Sequence, residues 1–467
     1  MNITYLIGNG FDVNIGLKSS YADFYKSYVN NHPDNEPDVV TRFKNKINDC
    51  IKNESQKEDI QKFDWRDLEV ALGQFTNQMN EKEAEILYLD INDSLKSYLI
   101  KEYEYFDVEA FDRSDFYNQI TNPVTTQFNR ITANILKNYY LNCSGDEYLN
   151  VINFNYTRTI EELADFKGKR LAIGVSFTGR KAFLNSVHHI HQTLQDDEIL
   201  VGVNDVSQIA NPKIRDNRLL CNMYVKPNTN TLLGSGVNQD CEAIISNSDL
   251  FVVFGTSAGI TDQNWWKLVC KRLVNSNARL IYFVHQSEKI HHQNLYLEEM
   301  AQEEISKLFE HAGMDLSAIT ENIMKRCYVS FSDTMFKLLV TYNERIKQEK
   351  TYKVGNAEAT LKILDMGMRH IAVSVETIAE EAGVPSEGMW LKDFFPGYTH
   401  NSQHLMTPTI DGKEVPYDLI PIVKKDKRKD IYFEISSFIG KSNSRVLLKS
   451  TKGDLKIKAL NELLKSC

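Results

Sequence analysis

Four short clusters in this chain carry residue types that do chemistry. They are Gly8-Asn9-Gly10-Phe11-Asp12, Asn153-Phe154-Asn155-Tyr156-Thr157, His189-Ile190-His191-Gln192, and Gly255-Thr256-Ser257-Ala258-Gly259 with Asp262. Each sits at the C-terminal end of a run that reads as a β-strand. Glycines at the end of a strand let the backbone turn tightly and approach a ligand. A helix starting there offers unpaired N–H groups and a positive dipole end, which suits a phosphate. A histidine with an ordinary pKa of ~6.5 can act as a general base near neutrality. The first cluster lacks the third glycine of a G-x-G-x-x-G fingerprint, since Val13 stands in its place. Taken singly, it reads equally well as an ordinary strand–turn–helix junction. Four clusters at equivalent positions argue for more. In an open parallel sheet the ligand crevice lies just outside the C-terminal strand ends, so the clusters are expected to converge on one rim.

The elements that must hold them there follow from hydrophobic periodicity. Strands are predicted at residues 3–7, 148–153, 187–191, 199–203, 249–254, 279–284 and 328–331. Helices are predicted at 262–274, 295–310 and 335–346. Residues from about 20 to 140 carry helical spacing, as in Phe43/Ile47/Ile51, Leu68/Leu72/Phe75 and Phe128/Ile131/Ile135. Strand–helix alternation predicts an α/β fold with a doubly wound, mostly parallel sheet of the Rossmann type. The large helical insertion then sits inside a first domain of residues 1–350. After about Lys350 the pattern changes. Residues 351–467 read as a smaller α+β domain, with helices at 357–383 and 455–464, strands at 431–438 and 445–449, and a charge run at 424–430.

The chain has 467 residues, 42% of them hydrophobic and 25% charged, with a formal net charge of −9. That balance argues against non-specific nucleic-acid binding by the whole surface. Seven cysteines without CxxC spacing argue for a reducing compartment and against a zinc ribbon. The chain opens on a strand-like run without a basic leader, and no run of about 18 apolar residues occurs. A soluble cytoplasmic protein with no membrane partner is expected.

The order of the motifs resembles the AbiH abortive-infection proteins of bacteria. The matching pieces are Leu6-Ile7-Gly8-Asn9-Gly10-Phe11-Asp12, Gly16-Leu17, Ser20-Tyr21-Ala22-Asp23-Phe24 and Trp65-Arg66-Asp67-Leu68-Glu69. Asn153 to Thr157, Ile190-His191, Gly202-Val203-Asn204-Asp205, and Gly255-Thr256-Ser257 with Asp262 follow in order. This resemblance covers roughly residues 1–345. More distantly, the same order is similar to the sirtuin-type NAD-binding fold. That likeness implies NAD, or a related nucleotide, as substrate or ligand, and hydrolysis of the nicotinamide–ribose bond without a metal. It implies catalytic roles for His191, Asn155 and Asp12. Gly8, Asn9, Gly10, Phe11, Tyr156, Thr157, Gly255, Thr256, Ser257 and Asp262 would bind the cofactor. Bond breaking of this kind passes through an oxocarbenium-like state, so the site must hold the ribose, stabilise positive charge and place a water.

Two departures from the sirtuin pattern stand out. Thr157 occupies a position where an acid is common, and Gln192 replaces the glycine after the histidine. Both favour a rival from another class, a non-catalytic nucleotide sensor whose ligand sets its assembly. A second rival is a nuclease or DNA-associated regulator. Residues 377–385 resemble the first helix and turn of a helix-turn-helix, but no basic recognition face follows. Arg279 and His285 match a ribonuclease spacing across a strand, which reads as accidental. His189 shares a strand face with His191 and reads as its helper. Glu69 reads either as a site residue or as charge complementing a helix dipole. Trp265 and Trp266 read mainly as core anchors. A homo-oligomer and a phage-derived or accessory-protein trigger complete the expected partners.

Overall fold

The computed structural model describes residues 1–52, 67–123, 128, 130–233, 236–285, 294–331, 335–338 and eight strands between 345 and 449. Seven strands form the first sheet: β1 (Asn2–Ile7), β2 (Glu147–Asn153), β3 (Leu171–Val175), β4 (Lys181–His189), β5 (Leu250–Phe254), β6 (Arg279–Phe283) and β7 (Cys327–Ser330). Their order is β3-β4-β2-β1-β5-β6-β7. All neighbours are parallel except β3, which runs antiparallel on β4 at the edge. The fold is therefore α/β, and the chain leaves β1 in both directions. β1 and β5 are buried almost throughout, as strands covered on both faces must be.

Register decides where the site lies. Ile7 pairs with Asn153 on one side and with Phe254 on the other, and Asn153 pairs with His189. The four strands thus end level. The polar clusters that follow them leave the sheet side by side, at the point where strand order reverses about β1.

The helices Tyr21–Tyr28, Asp38–Lys52, Leu68–Phe75, Glu81–Tyr103, Arg113–Thr121 and Arg130–Asn142 lie between β1 and β2 in the chain. Phe24, Phe43, Ile47, Leu68, Leu72 and Phe75 bury one face each, and Ile199, Val201, Val203 and Tyr224 join the same core. Asp67 caps Leu68–Phe75 by accepting from the N–H groups of Glu69 and Val70. Asn80 and Glu83 form a reciprocal capping box at Glu81–Tyr103. The 128/131/135 spacing behaves differently from expectation, because Ile131 and Ile135 are 74% and 46% exposed. No helix among the described residues is long and apolar enough to cross a membrane.

Three sequence expectations change here. Residues 199–203 are not a strand; Val203 makes a single bridge to Val225, and Ile199 and Val201 join the helical core. An apolar run this short fits a buried loop as well as a strand. The edge strand β3, which carries little alternation, was not expected. The third change is that Arg345 opens a strand, so no helix spans 335–346.

A second compact unit comprises residues 105–112 and 338–467. Its described strands are β8 (Arg345–Val354), β9 (Ala357–Asp365), β10 (His370–Thr377), β11 (Thr409–Ile410), β12 (Lys413–Glu414), β13 (Tyr417–Val423), β14 (Ile431–Ser437) and β15 (Arg445–Lys449). Six of them form a sheet ordered β13-β14-β15-β10-β9-β8, antiparallel except for β10 beside β15. The helix expected over 357–383 is replaced by β9 and β10. In His370-Ile-Ala-Val-Ser-Val-Glu-Thr377, β-branched residues recur every second position, and that period wins over the helix formers around it. The helix-turn-helix resemblance after Thr377, the charge run at 424–430 and the closing helix at 455–464 lie outside the described residues.

Candidate active site

A cavity of about 200 Å³ opens at the level ends of β1, β2, β4 and β5. Gly8, Asn9 and Asp12 line it from the first cluster, Phe154 to Thr157 from the second, His191 from the third, and Gly255, Thr256, Ser257 and Asp262 from the fourth. Tyr21, Asp67, Glu69, Leu95 and Leu99 join the wall from the helical region, and Ser19, Gly259 and Thr261 line it too. Of the expected site residues, Gly10 and Phe11 do not line it. Phe11 is buried, with its ring 5.1 Å from that of Phe336.

The glycines serve contact between two turns. A Cβ on Gly8 would lie 2.6 Å from Thr256 Cβ, and one on Gly10 would lie 2.5 Å from Gly255 Cα. Gly255 has φ +71°, a left-handed conformation open to glycine. The Gly8 N–H donates to Phe254 O at 2.9 Å, the Gly10 N–H to Gly255 O at 2.7 Å, and the Phe11 N–H to Gly8 O at 3.0 Å. These three donors are therefore spent within the protein. The following helix, Gly10–Asn14, has only five residues.

The loop after β2 is tied down at nearly every residue. The Asn155 N–H donates to Asn153 Oδ1 at 3.0 Å, and Tyr156 Oη donates to Leu200 O at 3.1 Å. His191 Nδ1 stands 3.1 Å from Phe154 O, and His189 Nδ1 stands 2.9 Å from Asn155 O. Through their other ring nitrogens, His189 meets Glu161 Oε1 at 2.8 Å and His191 meets Asp262 Oδ1 at 2.9 Å. Two histidines of one strand end thus hold consecutive carbonyls from behind. One group is left over. The Asn155 side chain is 3% exposed, and neither its amide oxygen nor its amide nitrogen has a partner. A buried amide without partners costs about 1–3 kcal/mol, and this one lines the cavity.

Asp12 lines the cavity as a buried carboxyl. Thr157 Oγ1 donates to its Oδ2, and Thr159 Oγ1 donates to its Oδ1 at 2.7 Å. Thr157 is thus the hydroxyl that holds the Asp12 carboxylate, which accounts for a threonine where an acid was anticipated. Burial pushes the Asp12 carboxyl up to about 6, against the lowering effect of the two hydroxyls. An acid whose folded pKa is raised favours folding at low pH, and that contribution is lost as pH rises through the folded value. Wild type should therefore lose stability relative to Asp12→Asn between about pH 4 and 6. Urea denaturation at pH 4 and pH 7 should show a relative change of about 2–3 kcal/mol.

The opposite wall holds a buried charge network. Lys226 Nζ donates to Glu69 Oε2 at 2.7 Å and to Asp262 Oδ1 at 2.9 Å, and the Lys226 side chain is 4% exposed. Glu69 Oε1 accepts from the Gly202 N–H at 3.2 Å. The backbone places the lysine, since the Lys226 N–H donates to Val203 O at 3.0 Å. Burial outweighs the ammonium at Glu69 and pushes its carboxyl up. Asp262 is held well below the usual carboxylate range by Lys226 and His191, against its burial. The two carboxylates hold Lys226 protonated despite burial. Burial, then the Lys226 charge, keep His191 below the ordinary imidazole range. A neutral ring has one N–H, so it donates either to Phe154 O or to Asp262.

Lys226 escaped the sequence reading altogether, because nothing in Tyr224-Val225-Lys226-Pro227 marks a buried cation. Asp67, expected within the first turns of a helix beginning near Asp64 or Trp65, instead caps the helix at Leu68 and lines the cavity. Gln192 adopts φ 63°, so the position of the missing glycine does require a left-handed backbone. Trp266 is buried and stacks on Phe154, with ring centroids 5.3 Å apart and planes 3° apart. Arg279 packs over the Tyr139 ring at 4.2 Å, which gives it a structural role.

A family model described as Bacteriophage abortive infection AbiH matches residues 4–284, a span that contains every residue lining the cavity. No curated protein matches the chain.

Proposed function

This chain belongs to the bacteriophage abortive infection AbiH family, and we propose that the role this implies is carried out at the cavity its two glycine turns help to line. There it binds NAD or a related dinucleotide in a sirtuin-like manner and hydrolyses it on infection. The bond between ribose C1′ and the pyridinium nitrogen breaks with its electron pair going to nitrogen. Water supplies the new C1′–O bond and one proton leaves, giving ADP-ribose and nicotinamide. The observation that carries this reading is the buried, partnerless Asn155 amide lining the cavity. Asn155 holds the ribose or the attacking water. Asp12, with its carboxyl pushed up to about 6 by burial, stabilises developing positive charge once ionised. A base role for His191 requires its contact with Asp262 to open on binding. Residues 351–467 sense the trigger, mediate assembly or restrain activity, and the protein works in the cytoplasm.

An effector of this kind is silent until infection, so the test belongs in cells. Nucleotides are profiled by mass spectrometry in bacteria carrying the wild type or Asn155→Ala, with and without phage. NAD should fall only in infected wild-type cells, with nicotinamide rising. An unchanged NAD pool beside cleaved nucleic acid would sink the reading. A second reading, the non-catalytic sensor, is favoured by one observation: both His191 ring nitrogens already face protein acceptors. Calorimetric binding of NAD without turnover in infected cells would select it.

A further inference from the structure

We propose that the wall formed by Asp67, Glu69 and Asp262 recognises a delocalised organic cation, so that the site takes the oxidised, pyridinium form of a dinucleotide and refuses the reduced form. The inference rests on the nucleotide reading above and adds how the site tells the oxidised form from the reduced one.

Asp12, Asp67, Glu69 and Asp262 line the cavity, and because burial pushes the Glu69 carboxyl up, Asp67 and Asp262 carry the charge of this wall. One ammonium, Lys226, faces Glu69 and Asp262. His191, held below its ordinary range, adds little positive charge. A phosphate placed here would meet net repulsion, whereas a cation would complete the charge balance. The partnerless Asn155 amide independently marks the same cavity as awaiting a polar ligand.

The remaining wall decides what kind of cation fits. Tyr21, Tyr156, Leu95 and Leu99 add aromatic and aliphatic surface to the lining. A pyridinium ring spreads its charge, carries no N–H on the charged nitrogen and sheds water cheaply, as weakly hydrated planar cations do beside aromatic rings. Oxidised and reduced nicotinamide have nearly the same outline. They differ by one unit of charge, so only electrostatics can tell them apart. One unbalanced carboxylate a few ångström from the ring supports at least a tenfold preference.

Isothermal titration of the full-length protein with NAD+, NADH and ADP-ribose tests this. NAD+ should bind at least tenfold more tightly than NADH. In Asp67→Asn, which keeps a capping side chain, the two should come within threefold while ADP-ribose affinity is unchanged. Equal affinities in the wild type overturn the cation wall and leave the nucleotide reading standing. Binding of none of the three overturns both. The wild-type comparison decides even if a variant fails to fold.

Discussion

Lys226→Met should cost the protein about 3–5 kcal/mol of stability, the range found when one partner of a buried ion pair is removed. Methionine fills most of the space, so the loss is electrostatic. Glu69 and Asp262 would face one another in a buried wall without the ammonium that both now accept from. Against a typical total of about 5–15 kcal/mol, such a loss brings the fold near its threshold. Chemical denaturation at pH 7 gives the magnitude, and its pH dependence gives the cause. Without the lysine both carboxyl pKa values rise, so the variant should recover stability as the pH falls and the wall becomes neutral. A deficit that stayed constant down to about pH 5 would mean lost packing. The double variant Lys226→Met/Glu69→Gln should recover part of the loss, and that coupling measures the pair directly.

Asn155→Ala should move stability and binding in opposite directions. The substitution removes a buried amide that makes no hydrogen bond. Its backbone contacts to Asn153 and His189 need no side chain. The unliganded variant should therefore be more stable than wild type by about 1 kcal/mol, the lower end of the penalty for an unmet buried polar group. Affinity for the dinucleotide should fall on the order of a hundredfold, as expected when a desolvated polar contact is lost. Stability held at the expense of function is the mark of a site residue. A thermal melt and a calorimetric titration on the same preparation decide the matter. If Asn155→Ala melts well below wild type, the amide is structural and the proposed function loses its main support.

The rim of the sheet was legible because its signals are local. Gly8, Gly10 and Gly255 sit where the backbone must turn or touch, and such requirements show in the sequence at the position that has them. The convergence of Asp12, Asn155, His191 and Asp262 followed from placing each cluster at the C-terminal end of a strand in a parallel sheet. What the glycines do was less legible. Their spacing speaks equally for a phosphate and for a neighbouring turn, and the neighbour claims the donors of Gly8 and Gly10. Lys226 was invisible because its character comes from groups 157 and 36 positions away in the chain. Thr157 looked like a departure until its partner Asp12 was known. In β9 and β10 the helix-forming residues spoke louder than the two-residue alternation.

The long excursion between β1 and its neighbours has a consequence for how the protein is made. Asn2 pairs with Tyr148, and Ile7 with Phe254. At a synthesis rate of roughly 5–20 residues per second, the first strand waits on the order of ten seconds or more to be flanked on both sides. No nascent fragment released before Asp262 can assemble the cavity. A product truncated before Asp262 therefore lacks part of the wall that the full chain closes.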